Sequence, residues 1–212
     1  MKKPRRMKGH YARYPDAMSQ IPLFASAGET VLVDDERGRI SYTPGFLAAD
    51  VAEACFAELR ATVAWKSERR RMYDREVDVQ RLMAHFRLAP DPSPASDAIG
   101  IAARKVVAVT RVPFNSVGLN FYRDGQDSVA PHGDQDDIVR GTPVALVSLG
   151  DTRRMTIRAT KPPKRVFQLD LAAGSLLVMS YETQLTYTHA IPKTSEPVGP
   201  RISLAFRVRP EA

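Results

Sequence analysis

Cysteine is almost absent from this chain. Cys55 stands alone among 212 residues, so no disulfide can close within it. A lone thiol suits a reducing compartment, and a cytoplasmic location is expected. Long apolar runs are lacking too: no stretch approaches membrane-spanning length, and the basic N-terminus has no apolar segment of the signal-peptide kind. No membrane association is therefore expected. Histidine is scarce, with His10, His85, His132 and His189 the full set, so a histidine-based metal site has few candidates.

What is present is ordinary for a globular domain. The 43% hydrophobic and 26% charged content suits one sizeable core, and two compact domains would be tight at this length. The formal net charge of +7 is unevenly spread: Lys2, Lys3, Arg5, Arg6, Lys8 and Arg13 all precede the first acid, Asp16. Residues 1–20 read as a flexible basic arm, either simply solvated or adding salt-sensitive attraction to phosphates. A monomer is expected.

From 21 to 112 the chain reads as an extension carrying helices and a flap. Alternation in Thr-Val-Leu-Val and Arg-Ile-Ser-Tyr around Asp-Asp-Glu-Arg-Gly predicts a hairpin over 28–42. Phe46, Leu47, Val51, Cys55, Leu59 and Val63 recur near helical spacing, and a second helix is expected over 96–111. Between them, the basic stretch from Trp65, with Arg69, Arg70 and Arg71, reads as an exposed strand and turn that could face phosphates. From 113 to 212, strands are expected near 115–123, 128–132, 143–149, 153–159, 165–170, 174–180, 184–190 and 201–209. Helices first and many short strands after predict an α+β, mainly β protein: a double-stranded β-helix, or jelly roll, with the helices packed on its major sheet.

The chemistry gathers around Asn120-Phe-Tyr122 and His132-Gly-Asp134. In extended backbone residues i and i+2 point the same way, so His132 and Asp134 can bind one ion, and Asn120 and Tyr122 can reach the same space. His189, in a further alternating run, is the candidate third ligand. Two histidines and one carboxylate with open positions suit non-heme Fe(II) better than a closed structural zinc. Near the C-terminus, Arg201, Ser203 and Arg207 share one strand face while Ile202, Leu204, Phe206 and Val208 share the other. Two guanidiniums beside a metal site call for anions, and a dicarboxylate co-substrate would meet both.

These motifs in this order resemble the AlkB family of Fe(II)/2-oxoglutarate dioxygenases. The resemblance is continuous from about Phe114 to Arg209 and weaker upstream to about Tyr42. It implies that His132, Asp134 and His189 are the catalytic iron ligands, that Asn120, Tyr122, Arg201, Ser203 and Arg207 hold 2-oxoglutarate, and that O₂ is the oxidant. Many relatives carry Asn where Ser203 stands. The implied activity is removal of N-methyl lesions of the 1-methyladenine and 3-methylcytosine type from methylated DNA, with RNA the alternative, releasing formaldehyde, succinate and CO₂. Asp136 and Arg158 match family positions near the substrate, the alternatives being a solvated acid in a turn for Asp136 and a sheet-surface charge for Arg158. The aromatic patch that lines the base pocket in many relatives is replaced here by a proline-rich loop over 87–96, leaving Phe86, Tyr73 and His85 as candidates to stack on a base. Hydroxylation of another substrate (RNA, protein or a small molecule) is a second reading, and a barrel that binds without turnover is a third.

Overall fold

The computed structural model describes residues 28–72, 75–88 and 97–210, with backbone alone for 68–72 and 75–79. The expected basic arm at 1–20 and Tyr73 lie outside the described residues, and Arg69, Arg70 and Arg71 are described only as backbone. The chain opens with a hairpin of β1 (Thr30–Asp35) and β2 (Gly38–Thr43), then α1 (Ala49–Thr62). A second hairpin, β3 (Lys66–Met72) and β4 (Arg75–Arg87), precedes α2 (Asp97–Thr110). Then come β5 (Ser116–Tyr122), β6 (Val129–His132), a 3₁₀ turn at Gln135–Asp137, β7 (Val144–Gly150), β8 (Arg153–Ala159) and β9 (Val166–Leu171). β10 (Leu176–Met179), α3 (Tyr181–Thr186), β11 (Tyr187–Ile191) and β12 (Arg201–Arg207) complete it.

Two antiparallel sheets result. The larger runs β1-β2-β10-β7-β12-β5-β4-β3 and the smaller β6-β11-β8-β9. This is the expected jelly roll. Period-2 alternation along the shared strands splits the core in two. On β12, Ile202, Leu204 and Phe206 face α1 and α2, joined by Val117, Leu119 and Phe121 of β5 and Leu59 and Val106 of the helices. The opposite faces of β5 and β7 meet the small sheet through Tyr122, Val144 and Leu146 against Met155, Ile157 and Leu169. The helices therefore back the large sheet on one side, and the cleft between the sheets is left for function. Among the described residues no helix is long and apolar enough to cross a membrane.

Three departures from expectation bear on the site. The segment expected as a strand from 184 begins as the short helix α3, where Thr183 donates from its backbone N–H (3.2 Å) and its hydroxyl (2.7 Å) to the Ser180 carbonyl. Six residues are too few to show helical periodicity. The last strand stops at Arg207, and Asn115 takes over: its amide donates to Arg209 O and accepts from Arg209 N–H, both at 2.8 Å. The expected flap and the cleft wall are one continuous strand, since β4 pairs with β3 at one end and with β5 at the other.

Leu204, fully buried at the centre of β12 between Leu119 and Val147, tests this layering. Leu204→Ala is expected to lower unfolding free energy by about 2–5 kcal/mol in urea titrations, whereas Val109→Ala on the exposed face of α2 should change it by less than about 0.5 kcal/mol. Equal effects would mean that the helices do not cover this sheet.

Candidate metal and co-substrate site

β6 and β11 are hydrogen-bonded neighbours, and His132 stands directly opposite His189 in their register. The two rings lie 4.3 Å apart between centroids, tilted by 52°. Asp134 follows two residues after His132, past the strand end, where it caps the 3₁₀ turn and accepts the Asp137 N–H at 2.9 Å. Gly133 makes that bend possible. A Cβ built on it would stand 2.5 Å from the Gln184 backbone carbonyl, a clash that no rotamer relieves. His132, Asp134 and His189 thus each offer one ligand atom, all within 4.8 Å of one another.

Their protonation suits a cation. His132 Nδ1 lies 2.9 Å from the Ala130 carbonyl, so it carries the proton there and Nε2 turns its lone pair inward. Burial, and after it the neighbouring His132, push the His189 imidazole down to about 4, although Asp134 opposes them. For Asp134 the largest effect is burial, which raises its carboxyl. The Arg207 guanidinium, His189 and His132 together outweigh it and hold the group below the ordinary carboxylate range. Arg207 Nη2 donates to Asp134 Oδ1 at 3.0 Å, while the buried Oδ2 has no hydrogen-bond partner and lies 3.6 Å from His189 Nε2. A buried anionic oxygen facing two imidazole lone pairs is the arrangement a metal ion satisfies.

A second unsatisfied group lies farther along the same cleft, whose volume is about 700 Å³. Arg201 is 1% exposed and pairs across β12 and β5 with Tyr122, as Ser203 does with Asn120. Arg201 Nη2 donates to Ser148 Oγ at 2.9 Å, but Nε and Nη1 are buried without acceptors. Burial pushes this guanidinium down, with Tyr122 the main opposing influence, yet an arginine stays charged at any relevant pH. Its guanidinium carbon sits 5.2 Å from the Tyr122 ring centre, and that of Arg153 sits 5.6 Å from the same ring. Arg153 is equally buried but donates to the carbonyls of Asp124, Asp127 and Pro192 at 2.8–2.9 Å. The contrast sorts the two: the fold satisfies Arg153, and Arg201 keeps donors that a carboxylate could meet. Arg81 Nε donates to Asn120 Oδ1 at 2.6 Å, which leaves the Asn120 Nδ2 as a donor towards the cleft. Arg207 donates to Asp134 through Nη2 and to the Ala205 carbonyl through Nη1 at 3.4 Å, and its buried Nε is left without a partner. Ser203 is buried and lines the cleft.

The substrate-side candidates fare unevenly. Asp136 lines the cleft mouth, exposed, with Gln135 Nε2 3.4 Å from its Oδ2. Phe86 does not line the cleft: it packs with Leu82, Ala84 and Leu88 against the helix-side core, whereas Arg81, Met83 and His85 on the alternate positions of β4 face the cleft. Arg158 is exposed on the outer face of β8, out of parity with the buried Met155, Ile157 and Ala159. Sequence reading missed Arg81, Ser148, Arg153 and Gln184. Parity along β4 could have exposed Arg81 and excluded Phe86.

The depressed His189 fixes a pH dependence. Between its ordinary 6.5 and about 4 the folded, metal-free protein binds fewer protons than the unfolded chain, so stability falls as pH falls through that window. Urea midpoints at about pH 7.5 and about pH 5 should report a loss of roughly 2 kcal/mol that His189→Asn largely removes. An unchanged slope in the variant would place the titration elsewhere.

A family profile described as the 2OG-Fe(II) oxygenase superfamily matches residues 39–207. Among curated relatives, the DNA oxidative demethylase ALKBH2 of Bos taurus is 35% identical over 128 residues, covering 57% of this chain and 46% of its own. The alpha-ketoglutarate-dependent dioxygenase alkB homolog 3 of Mus musculus is 30% identical over 188 residues, covering 80% of this chain and 65% of its own. The chain thus spans about half to two thirds of the length of these relatives. The solved structure of OsALKBH1 superposes with a TM-score of 0.55 at 15% identity, over 85% of this chain and 100% of that one. A Pseudomonas putida prolyl-4-hydroxylase does so at 0.52 and 20% identity, over 81% and 93%. These two likenesses confirm the fold. The three ligand atoms fit Fe(II) and the unsatisfied Arg201 fits a 2-oxo dicarboxylate, with O₂ the third participant that the family implies. With the matched span enclosing all three ligands and both arginines, the chain belongs to the 2OG-Fe(II) oxygenase superfamily, on its AlkB-like branch.

Proposed function

We propose that this chain is an oxidative demethylase that removes N-methyl groups from methylated nucleic acid, DNA foremost, in the repair of alkylation damage. The observation that carries the reading is one cleft holding three inward-facing ligand atoms and, farther along, a buried guanidinium without acceptors. The substrate class is supported by a relative whose name is DNA oxidative demethylase. Bound together, Fe(II), 2-oxoglutarate and O₂ supply an oxidant that hydroxylates a substrate C–H bond while 2-oxoglutarate leaves as succinate and CO₂.

The chain's own residues do the aiming. His132, Asp134 and His189 hold the ion, and Arg207 keeps Asp134 ionised. Arg201 receives the distal carboxylate, with Tyr122, Asn120 Nδ2, Ser203 and Arg207 Nε around the remaining co-substrate oxygens. At the mouth, Asp136 presents negative charge to a cationic base such as 1-methyladenine or 3-methylcytosine, while Asp137 pairs with Arg209 at 3.7 Å. Asp136 accepts from the exocyclic amine of the base. With Phe86 turned to the core, His85 is the described aromatic ring lining the cleft besides Tyr122 and the two ligand histidines. Burial, then Arg209 and Arg207, hold His85 below its ordinary value against Asp137, so the ring stays uncharged and can stack on a cationic base. The hydroxylated N-methyl group is a hemiaminal, which releases formaldehyde and restores the base. A lesion that cannot pair leaves the helical stack at low cost.

Purified protein with Fe(II), 2-oxoglutarate and ascorbate is expected to release formaldehyde and succinate together from oligonucleotides carrying 1-methyladenine or 3-methylcytosine. Succinate without base repair would overturn the nucleic-acid substrate and leave the oxygenase. Asp134→Ala should abolish turnover with the melting transition retained. Arg201→Lys, which keeps the charge and loses the fork, should raise KM for 2-oxoglutarate about 10- to 100-fold while leaving KM for the oligonucleotide in place.

A further inference from the structure

Gln184 is a buried polar side chain, 4% exposed, on the six-residue helix α3. Its Oε1 accepts the backbone N–H of Asp134 at 3.1 Å, and its Nε2 lies 3.4 Å from Thr183 Oγ1. Its own backbone carbonyl fills the space where residue 133 would carry a side chain. Backbone and side chain of this one residue therefore close on the Gly133–Asp134 peptide. α3 runs directly into β11, which carries His189 five residues after Gln184. One helical turn thus delivers one metal ligand and grips the backbone of another.

α3 is itself anchored. Ser180 N–H donates to Arg39 O at 2.9 Å, and Arg39 N–H donates back to Ser180 Oγ at 3.1 Å. Thr186 Oγ1 donates to Arg37 O at 2.9 Å. Between these arginines Gly38, at φ +108°, lets the β1–β2 turn lie directly against Ser180 and Thr183, where any side chain would collide. The grip on Asp134 is thereby referred to the first hairpin, at the edge of the large sheet.

We propose that Gln184 is a positioning residue for the metal centre, its side-chain carbonyl fixing the Asp134 backbone relative to His189 before an ion binds. Asp134 needs such a hold. It stands beyond the strand end, after a glycine, and must give Oδ1 to Arg207 while Oδ2 faces His189. Without the acceptor, a buried N–H is left unpaired and the carboxylate is free to follow Arg207. Partners that orient a metal ligand typically change metal affinity by about 10- to 100-fold when removed.

Anaerobic titration of metal-free protein with Co(II), followed by visible absorption, tests this without turnover. Gln184→Met, similar in length but without the carbonyl, should weaken Co(II) binding about 10- to 100-fold and alter the d–d band, with the far-UV circular dichroism of the metal-free protein unchanged. Gln184→Glu, whose carboxylate still accepts, should stay within a few-fold of wild type. Wild-type affinity and spectrum in Gln184→Met overturn the proposal. So does an equal loss in Gln184→Glu, which would make the effect one of packing. If Gln184→Met does not fold, Gln184→Asn, which keeps the amide but draws its carbonyl back by one methylene from the Asp134 N–H, carries the test, and wild-type Co(II) affinity and spectrum there overturn the proposal. Wild-type protein that binds no Co(II) would overturn the metal reading and this proposal together, whereas a Gln184→Met effect confined to affinity leaves the demethylase reading standing on its own assay.

Discussion

The ion pair between Asp134 and Arg207 is the contact on which the site rests. Burial alone would favour the protonated acid, which is no metal ligand, and the guanidinium is the largest influence that reverses this. Gly118 leaves room for the Arg207 side chain on its way to Asp134. A Cβ there would stand 3.2 Å from Arg207 Nη1 and 3.1 Å from His85 Cε1. The pair also joins the two sheets, since Arg207 ends β12 of the large one and Asp134 follows β6 of the small one. Fold and chemistry are therefore secured by the same bond.

β12 shows how one strand serves both. Its odd-numbered positions 201, 203 and 207 line the cleft, and its even-numbered positions 202, 204 and 206 build the helix-side core. Arg201 and Arg207 are six residues apart, roughly 20 Å along an extended strand. Their contacts differ accordingly: Arg207 donates to Asp134 through Nη2, and Arg201 lies farther along the cleft over the Tyr122 ring.

Much of this was legible in the sequence because period-2 alternation needs only neighbours. The first hairpin, both long helices, most strands of the roll and the two faces of β12 could be read that way. The same alternation, read strictly along β4 and β8, would have turned Phe86 to the core and Arg158 to solvent; likeness to family positions pointed the other way. What alternation cannot supply is register between distant strands. That His132 sits opposite His189 depends on the pairing of β6 with β11, 57 positions later in the chain, and no local pattern encodes it. Nor does a six-residue helix announce itself, so Gln184 passed as part of a strand.

Arg153 is the residue that parity misleads about most instructively. It falls in step with Met155 and Ile157, as a core side chain should, and it is indeed buried, though charged. Three backbone carbonyls take its protons, so its burial needs no further partner. Arg201, over the same tyrosine ring, donates to one serine hydroxyl where Arg153 donates to three carbonyls. Two guanidiniums of similarly low exposure thus differ in how many of their protons the protein accepts, and the deficit at Arg201 is one that an acceptor in the cleft would meet. A carboxylate with two oxygens would close the deficit at Arg201, and an ion would close the matching surplus of lone pairs at Asp134. Opposite unsatisfied charges at the two ends of one cleft are met together by a molecule that carries a carboxylate at one end and chelates a metal at the other.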